Sequence, residues 1–289
     1  MLVSGAETLQ GVDGERHVAS WSGPDVDRVV LVCHSLREHV GLYEELAEAL
    51  VRSGAHVYGL DQAGHGRSEG SPALLSDLEN AVAEQRLLLQ LARARHPGLP
   101  IVLLGHGTGA TLAVRLGQQL GELVAALVLA APLLGARPGN HLEDPRLSVE
   151  PYAARDLSRD PAVGGRFAAD PLVWRGQLPL ATAAALHRGL RLVDRGPRLR
   201  QPVLWLHGTA DRIVPVEPTR DALRRLVPAD RLTEHLVEGA RHQLFTPVDR
   251  DDTVAAVTGF LAGALRQPQA AGAAAPRAGS VAAASRQPA

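Results

Sequence analysis

The chain has 289 residues, 45% of them hydrophobic, which is ample for one large core in a single unit. A formal net charge of -1 gives no electrostatic case for nucleic acid or for an anionic membrane surface, and all 30 basic residues are arginine. The single cysteine, Cys33, excludes an internal disulfide framework and fits a reducing cytoplasm; no export signal opens the chain and no run of about 18 apolar residues suggests a membrane span.

In chain order, Asp13-Gly14 is a hairpin signal between two early strands. Arg28 to Cys33 reads as a strand that runs directly into His34-Ser35-Leu36-Arg37-Glu38-His39, and a strand from Ala55 to Asp61 precedes the turn Gly64-His65-Gly66-Arg67-Ser68. The apolar run Ile101 to Leu104 reads as a buried parallel strand, Thr108 to Leu120 as the helix after it, and Gly105-His106-Gly107-Thr108-Gly109 joins them. After a strand from Leu123 to Ala130 the alternation breaks. The stretch from Pro132 to Pro197 carries repeated Pro and Gly, short amphipathic helix candidates and Trp174, and is too long for a structureless loop; residues 132–197 are read as a helical lid over the C-terminal edge of the sheet. A strand from Pro202 to Leu206 leads into His207-Gly208-Thr209-Ala210-Asp211, and one from Leu232 to Leu236 is followed by Gly239-Ala240-Arg241-His242. This alternation predicts an α/β core, residues 1–131 and 198–266, with a mostly parallel sheet covered by helices on both faces. From Gln267 onward Ala, Gly, Pro, Gln and Ser dominate, so residues 267–289 are expected to be a disordered tail.

The turn at Gly107 has the form G-x-G-x-G where the nucleophile elbow of a serine hydrolase has G-x-S-x-G. Glycine cannot attack a carbonyl, yet an aspartate and a histidine follow in the matching order, Asp211 and then His242, each after a strand. Taken singly, each residue has a plainer reading. Gly107 suits any tight turn, His242 any core or surface, and Asp211 the N-cap of a helix near Glu217. His65 and His106 are read as loop-holding histidines and Cys33 as a small buried hydrophobe. The twelve histidines show no zinc spacing, so neither metal nor other cofactor is expected. Gly105-x-Gly107-x-x-Ala110 also fits a dinucleotide fingerprint, but the next strand ends in Leu129-Ala130-Ala131-Pro132-Leu133 without the carboxylate a ribose needs, which leaves an oxidoreductase as a minor alternative.

From about Glu7 to about Leu265 the sequence resembles the monoacylglycerol lipase and lysophospholipase-like, serine aminopeptidase-like branch of the α/β-hydrolases. Besides the motifs above, the segment ending in Trp21, the Glu38-His39 pair, Tyr43-Glu44-Glu45-Leu46-Ala47 and Asp170-Pro171-Leu172 carry the resemblance. It implies an α/β-hydrolase fold with a helical lid acting on lipid-like or small hydrophobic esters. It also implies a catalytic acid at Asp211, a base at His242, and oxyanion donors at the backbone N–H groups of Leu36 and Thr108, with the Thr108 side chain directed along its helix. Three positions depart from the family pattern: Gly107 stands at the nucleophile position, His34-Ser35 replaces the usual His-Gly, and Leu42 replaces the arginine before the tyrosine. Two readings follow. One is a hydrolase with weak or altered His-Asp general-base chemistry, in which Ser35 or a water substitutes for the missing hydroxyl. The other is a non-catalytic ligand-binding or regulatory protein that keeps the pocket. Glycine relieves the strain of that turn, so Gly107→Ser is expected to restore esterase activity at some loss of stability.

Overall fold

The computed structural model describes residues 2–135 and 153–266. Residues 136–152 of the expected lid, and all of the expected tail at 267–289, lie outside the described residues. The strands are β1 (Val3–Gln10), β2 (Glu15–Ser22), β3 (Arg28–Cys33), β4 (Ala55–Leu60), β5 (Ile101–His106), β6 (Ala126–Ala130), β7 (Val203–Gly208) and β8 (Leu232–Val237). They form one 8-stranded sheet in the order β1-β2-β4-β3-β5-β6-β7-β8. The hairpin expected at Asp13-Gly14 joins β1 to β2, β2 pairs antiparallel with β4, and every later pairing is parallel.

The central strands are buried along their whole length, which is why their sequences are unbroken apolar runs instead of alternating ones. Successive side chains still divide between two layers. Leu31, Leu103 and Leu129 pack with α2 (Leu78–Arg95), α3 (Thr108–Leu120) and α7 (Val216–Leu226), whereas Val30, Leu104 and Val128 pack with α1 (Glu44–Arg52) and α8 (Arg250–Ala264). Each such aliphatic side chain contributes about 1.5–3 kcal/mol relative to exposure. Several strand limits differ from the sequence reading, two of them by more than one residue for a plain reason. β6 starts at Ala126, because residues Gly121–Leu123 close a 3-10 turn after α3, and β7 runs on through Gly208 because it stays in register with β8 to Val237.

Between β6 and β7 the described chain forms α4 (Ala154–Leu157), α5 (Pro161–Ala169) and α6 (Leu180–Arg195). Asp160 caps α5, accepting from the Ala162 N–H at 2.9 Å, with Pro161 in the first turn where no N–H is needed. This segment is tied to the loop after β3: Trp174 N–H donates to Arg37 O at 2.9 Å, Arg37 donates to Gly176 O, and His39 Nε2 lies 2.9 Å from Asp170 Oδ2. Leu178, Ala183 and Leu186 of the segment form an apolar cluster with Leu36, Leu133 and Val214, which stand at the strand ends. Among the described residues no helix is long and apolar enough to cross a membrane.

Candidate active site

β5 ends in a turn that only glycine fits well. Gly107 has φ 53 and ψ -118, a backbone region L residues rarely adopt, and its N–H donates to Ala130 O while its O accepts from Leu133 N–H, both at 3.0 Å. The flanking glycines have a different reason. A Cβ on Gly105 would stand 2.6 Å from Ala110 N, and one on Gly109 would stand 2.5 Å from His34 O, so both positions let strand, helix and the β3 loop approach closely.

On the β7 and β8 side, Gly208 permits the same kind of approach, since a Cβ there would meet Arg241 O at 2.5 Å; the 239–242 loop therefore folds back over the end of β7. His242, 2% exposed, turns Nδ1 to Asp211 Oδ2 at 2.9 Å. A Cβ built on Gly107 would be 3.4 Å from His242 Nε2, so the ring faces the turn. Asp211 Oδ1 accepts the N–H groups of Ile213 and Val214 at 2.8 and 2.9 Å. It thus closes the turn after β7 and does not cap α7, which begins at Val216 behind Pro215. His207 is the second partner of Oδ2, at 3.4 Å. Trp205 Nε1–H donates to His207 Nδ1 at 3.0 Å, which puts the proton of a neutral His207 on Nε2, facing Val214 O and Asp211. Burial raises a carboxyl, but here the positive charge of His242 and the hydrogen bonds from both histidines outweigh it and hold Asp211 below the usual carboxylate range.

The β3 and β5 side differs from the expectation. The N–H groups of Leu36 and Thr108 do converge beside Gly107, but both are engaged by hydroxyls: Leu36 N–H donates to Thr108 Oγ1 at 2.8 Å and Thr108 N–H to Ser35 Oγ at 3.3 Å. The Thr108 side chain therefore points across to the β3 loop and not along α3, because an N–H at the start of that loop offers it a buried partner. Ser35 Oγ lies where a side chain at position 107 would begin. A Cβ on Gly107 would stand 3.0 Å from Ser35 Cβ and overlap Ser35 Oγ, so a side chain at position 107 requires the Ser35 hydroxyl to move, a cost absent from the sequence reading of Gly107→Ser.

Residues 24–249 match the family described as serine aminopeptidase, S33. The chain belongs to that family. A monoacylglycerol lipase of Mycolicibacterium smegmatis is 33% identical over 269 residues, 88% of this chain and 95% of that protein. A human monoglyceride lipase is 31% identical over 229 residues, 75% of each chain. The crystal structure of a Paleococcus ferrophilus monoacylglycerol lipase superimposes with a TM-score of 0.76 at 24% identity, covering 86% of this chain and 99% of that one, which speaks for the fold. The chain is an α/β-hydrolase of the monoacylglycerol lipase-like branch.

In this family member a buried polar network, passed over in the sequence apart from the Glu38-His39 motif, links the two sides. Glu38 Oε2 accepts from Ser35 N–H at 3.1 Å and from Tyr43 OH, and lies 3.4 Å from His106 Nδ1; its Oε1 accepts from Gln243 Nε2. His106 Nε2 in turn bonds His242 O at 3.0 Å, so the histidine expected merely to hold a loop holds the one that carries His242. Burial opposes both charges, yet the pair outweighs it: His106 is raised by Glu38, and Glu38 is pulled down to about 2, chiefly by His106. His34, pushed down by burial, sets the Ser35 carbonyl through Nδ1 at 2.8 Å and accepts Gln62 N–H on Nε2 at 2.9 Å. His65 Nδ1 bonds Ala63 O in its own turn, and burial pushes the Cys33 thiol up to about 12, consistent with a small buried hydrophobe.

Proposed function

We propose that this chain is a carboxylic ester hydrolase for lipid-like or small hydrophobic acyl esters, with His242 as general base, Asp211 as its orienting acid and Gly107 at the elbow position where the family pattern has serine. The observation that carries the reading is the buried pair His242 Nδ1 and Asp211 Oδ2, 2.9 Å apart, with Nε2 3.4 Å from the Cβ position of Gly107. A base so placed withdraws a proton from a hydroxyl or water seated over that turn. The Leu36 and Thr108 N–H groups, now bonded to the Thr108 and Ser35 hydroxyls, are the donors offered to the developing oxyanion. The apolar cluster of Leu36, Leu133, Leu178, Leu186 and Val214 supports a hydrophobic acyl group, with residues 132–197 acting as the lid on a core of 1–131 and 198–266. The relatives named as monoacylglycerol and monoglyceride lipases support the same substrate class. The test is turnover of a panel of short and medium acyl esters by the parent and by His242→Ala; turnover that His242→Ala leaves unchanged would falsify the assignment.

A second reading, a non-catalytic ligand-binding or regulatory protein, is favoured by one specific observation: both candidate oxyanion donors already have hydroxyl partners within the protein. Ligand binding to the parent without turnover on any ester would select it. A dinucleotide site has no such support, because the first N–H of α3, where a pyrophosphate would sit, is bonded to Ser35 Oγ.

A further inference from the structure

The structure assigns Ser35 as the nucleophile of this site: its hydroxyl, carried by the loop after β3, fills the space over Gly107 beside His242 Nε2 and takes the acyl group. The assignment rests on the ester-hydrolase reading above and adds the identity of the attacking atom.

Four observations converge on it. Ser35 Oγ overlaps the point where a Cβ on Gly107 would be, and that same point lies 3.4 Å from His242 Nε2, so hydroxyl and base border one small volume. β3 and β5 are neighbouring parallel strands, with Cys33 opposite Gly105, so the residues two beyond each, Ser35 and Gly107, leave adjacent strand ends side by side. Ser35 is not among the residues with positive φ, whereas Gly107 is; the side chain sits on the unstrained backbone and the glycine on the strained one. The donors suit a nucleophile on this strand as well. Leu36 is the residue after Ser35, and Thr108 offers its N–H, 3.3 Å from Ser35 Oγ, together with a hydroxyl held 3.4 Å from the same oxygen by Leu36 N–H.

The steps use residues that border this volume, with the Leu36 and Thr108 N–H groups passing from their hydroxyl partners to the substrate oxygen. His242 Nε2 takes the Ser35 proton as Oγ bonds to the ester carbonyl carbon, and the carbonyl electron pair moves onto oxygen beside Thr108 and Leu36. Collapse breaks the ester C–O bond, and the departing alcohol takes the proton back from His242. Water then gives a proton to His242 and attacks the acyl group on Ser35. Collapse releases the carboxylic acid and returns the proton to Oγ, so the sum is ester plus water to acid plus alcohol.

The decisive experiment is labelling of the parent protein with a fluorophosphonate, followed by peptide mapping, alongside ester turnover by Ser35→Ala, Ser35→Cys and His242→Ala. The expected result is phosphonylation at Ser35, abolished in His242→Ala, with turnover by Ser35→Ala lower by at least about a thousandfold in a protein that still folds, its melting temperature reduced only by the loss of the acceptor of Thr108 N–H. Should Ser35→Ala fail to fold, Ser35→Cys serves instead: its thiol is expected to be alkylated by iodoacetamide much faster than the buried Cys33, and alkylation no faster than at Cys33 overturns the assignment. Label on another residue, or Ser35→Ala turnover within threefold of a parent that depends on His242, overturns it while leaving the ester-hydrolase reading intact. No label and no turnover by the parent overturns both.

Discussion

The two halves of the site have been held to different standards. On the β7 and β8 side, Asp211 has partners on both oxygens and His242 is fixed by Asp211 on its ring and by His106 on its carbonyl. Nothing there can move without stranding a buried charge. On the β3 and β5 side, glycine occupies the strained turn and a hydroxyl reaches the same place from the next strand. A base is defined by an electrostatic environment assembled from many residues, whereas the point it serves is only a position in space that two adjacent strand ends can both reach. The first is hard to relocate and the second is not.

The largest effect expected from breaking that comparison is on the fixed half. Asp211→Asn keeps an oxygen for the Ile213 and Val214 N–H groups, so the turn after β7 survives, but it no longer selects the His242 tautomer with a proton on Nδ1. Ester turnover is expected to fall by about four orders of magnitude. Steady-state kinetics on the best ester checks it; a loss smaller than tenfold would mean that the pair does not act as a base.

Next in size is the network that joins the halves. Glu38 is fully buried between Ser35, Tyr43, His106 and Gln243, so Glu38→Gln removes one partner of a buried pair, which typically costs about 3–5 kcal/mol. The pH dependence has a definite sign. Because Glu38 is held at about 2, below its ordinary 4.5, its contribution is complete above the ordinary value and is lost as pH falls toward 2. Asp211, also held low, adds to the same acid limb, whereas the raised His106 contributes below its ordinary value and is lost as pH rises through the raised one. Melting temperatures of the parent should therefore drop steeply from about pH 5 to about pH 2, and Glu38→Gln should flatten that limb. Parallel curves for parent and variant would show that the pair carries no net stability.

The difference between the halves also explains what was legible in the sequence. Strands such as β3, and the limits of α3, follow from continuous apolar runs and a glycine turn, which are local properties. Asp211 and His242 could be named because each follows its strand at the position the order of motifs dictates. Ser35 could be offered as a substitute hydroxyl from its place in the loop after β3, but that it fills the space over Gly107 depends on the β3 and β5 register, a long-range pairing that no window of sequence displays. The same holds for Thr108, whose hydroxyl turns away from the expected direction to reach Leu36, and for Glu38, whose partners come from its own loop, the 3-10 turn ending at Tyr43, the end of β5 and the loop after β8.

A smaller effect sharpens the movable half. Gly107→Ser alone is expected to lower stability by roughly 1–3 kcal/mol, from a side chain at positive φ that also displaces Ser35, and to lower turnover, not raise it. Adding Ser35→Gly vacates the overlapping volume. The double variant should therefore be more active than Gly107→Ser, and the two changes should be strongly non-additive in a double-mutant cycle of turnover and melting. Independent, additive effects would mean that the two side-chain positions do not share one space.

The smallest effect concerns the segment between β6 and β7. His39 Nδ1 accepts from Gly41 N–H at 3.2 Å, so a neutral His39 carries its proton on Nε2 and donates it to Asp170 Oδ2 at 2.9 Å, while Asp170 Oδ1 accepts Leu172 N–H at 2.8 Å. In Asp170→Asn an amide N–H₂ must face either His39 Nε2–H or Leu172 N–H, so one of the two bonds is lost whichever way the amide turns. The pair is partly open to water, with Asp170 24% exposed, and the loss should be under about 1 kcal/mol. Its functional trace is separable from that of His242 and Ser35, because the side-chain bonds of Asp170 go to His39 and Leu172: KM for medium-chain esters should rise a few-fold with kcat unchanged, since only the tie between the β3 loop and the β6–β7 segment has loosened. A fall in kcat with KM constant would instead place His39 and Asp170 among the groups that stabilise the transition state.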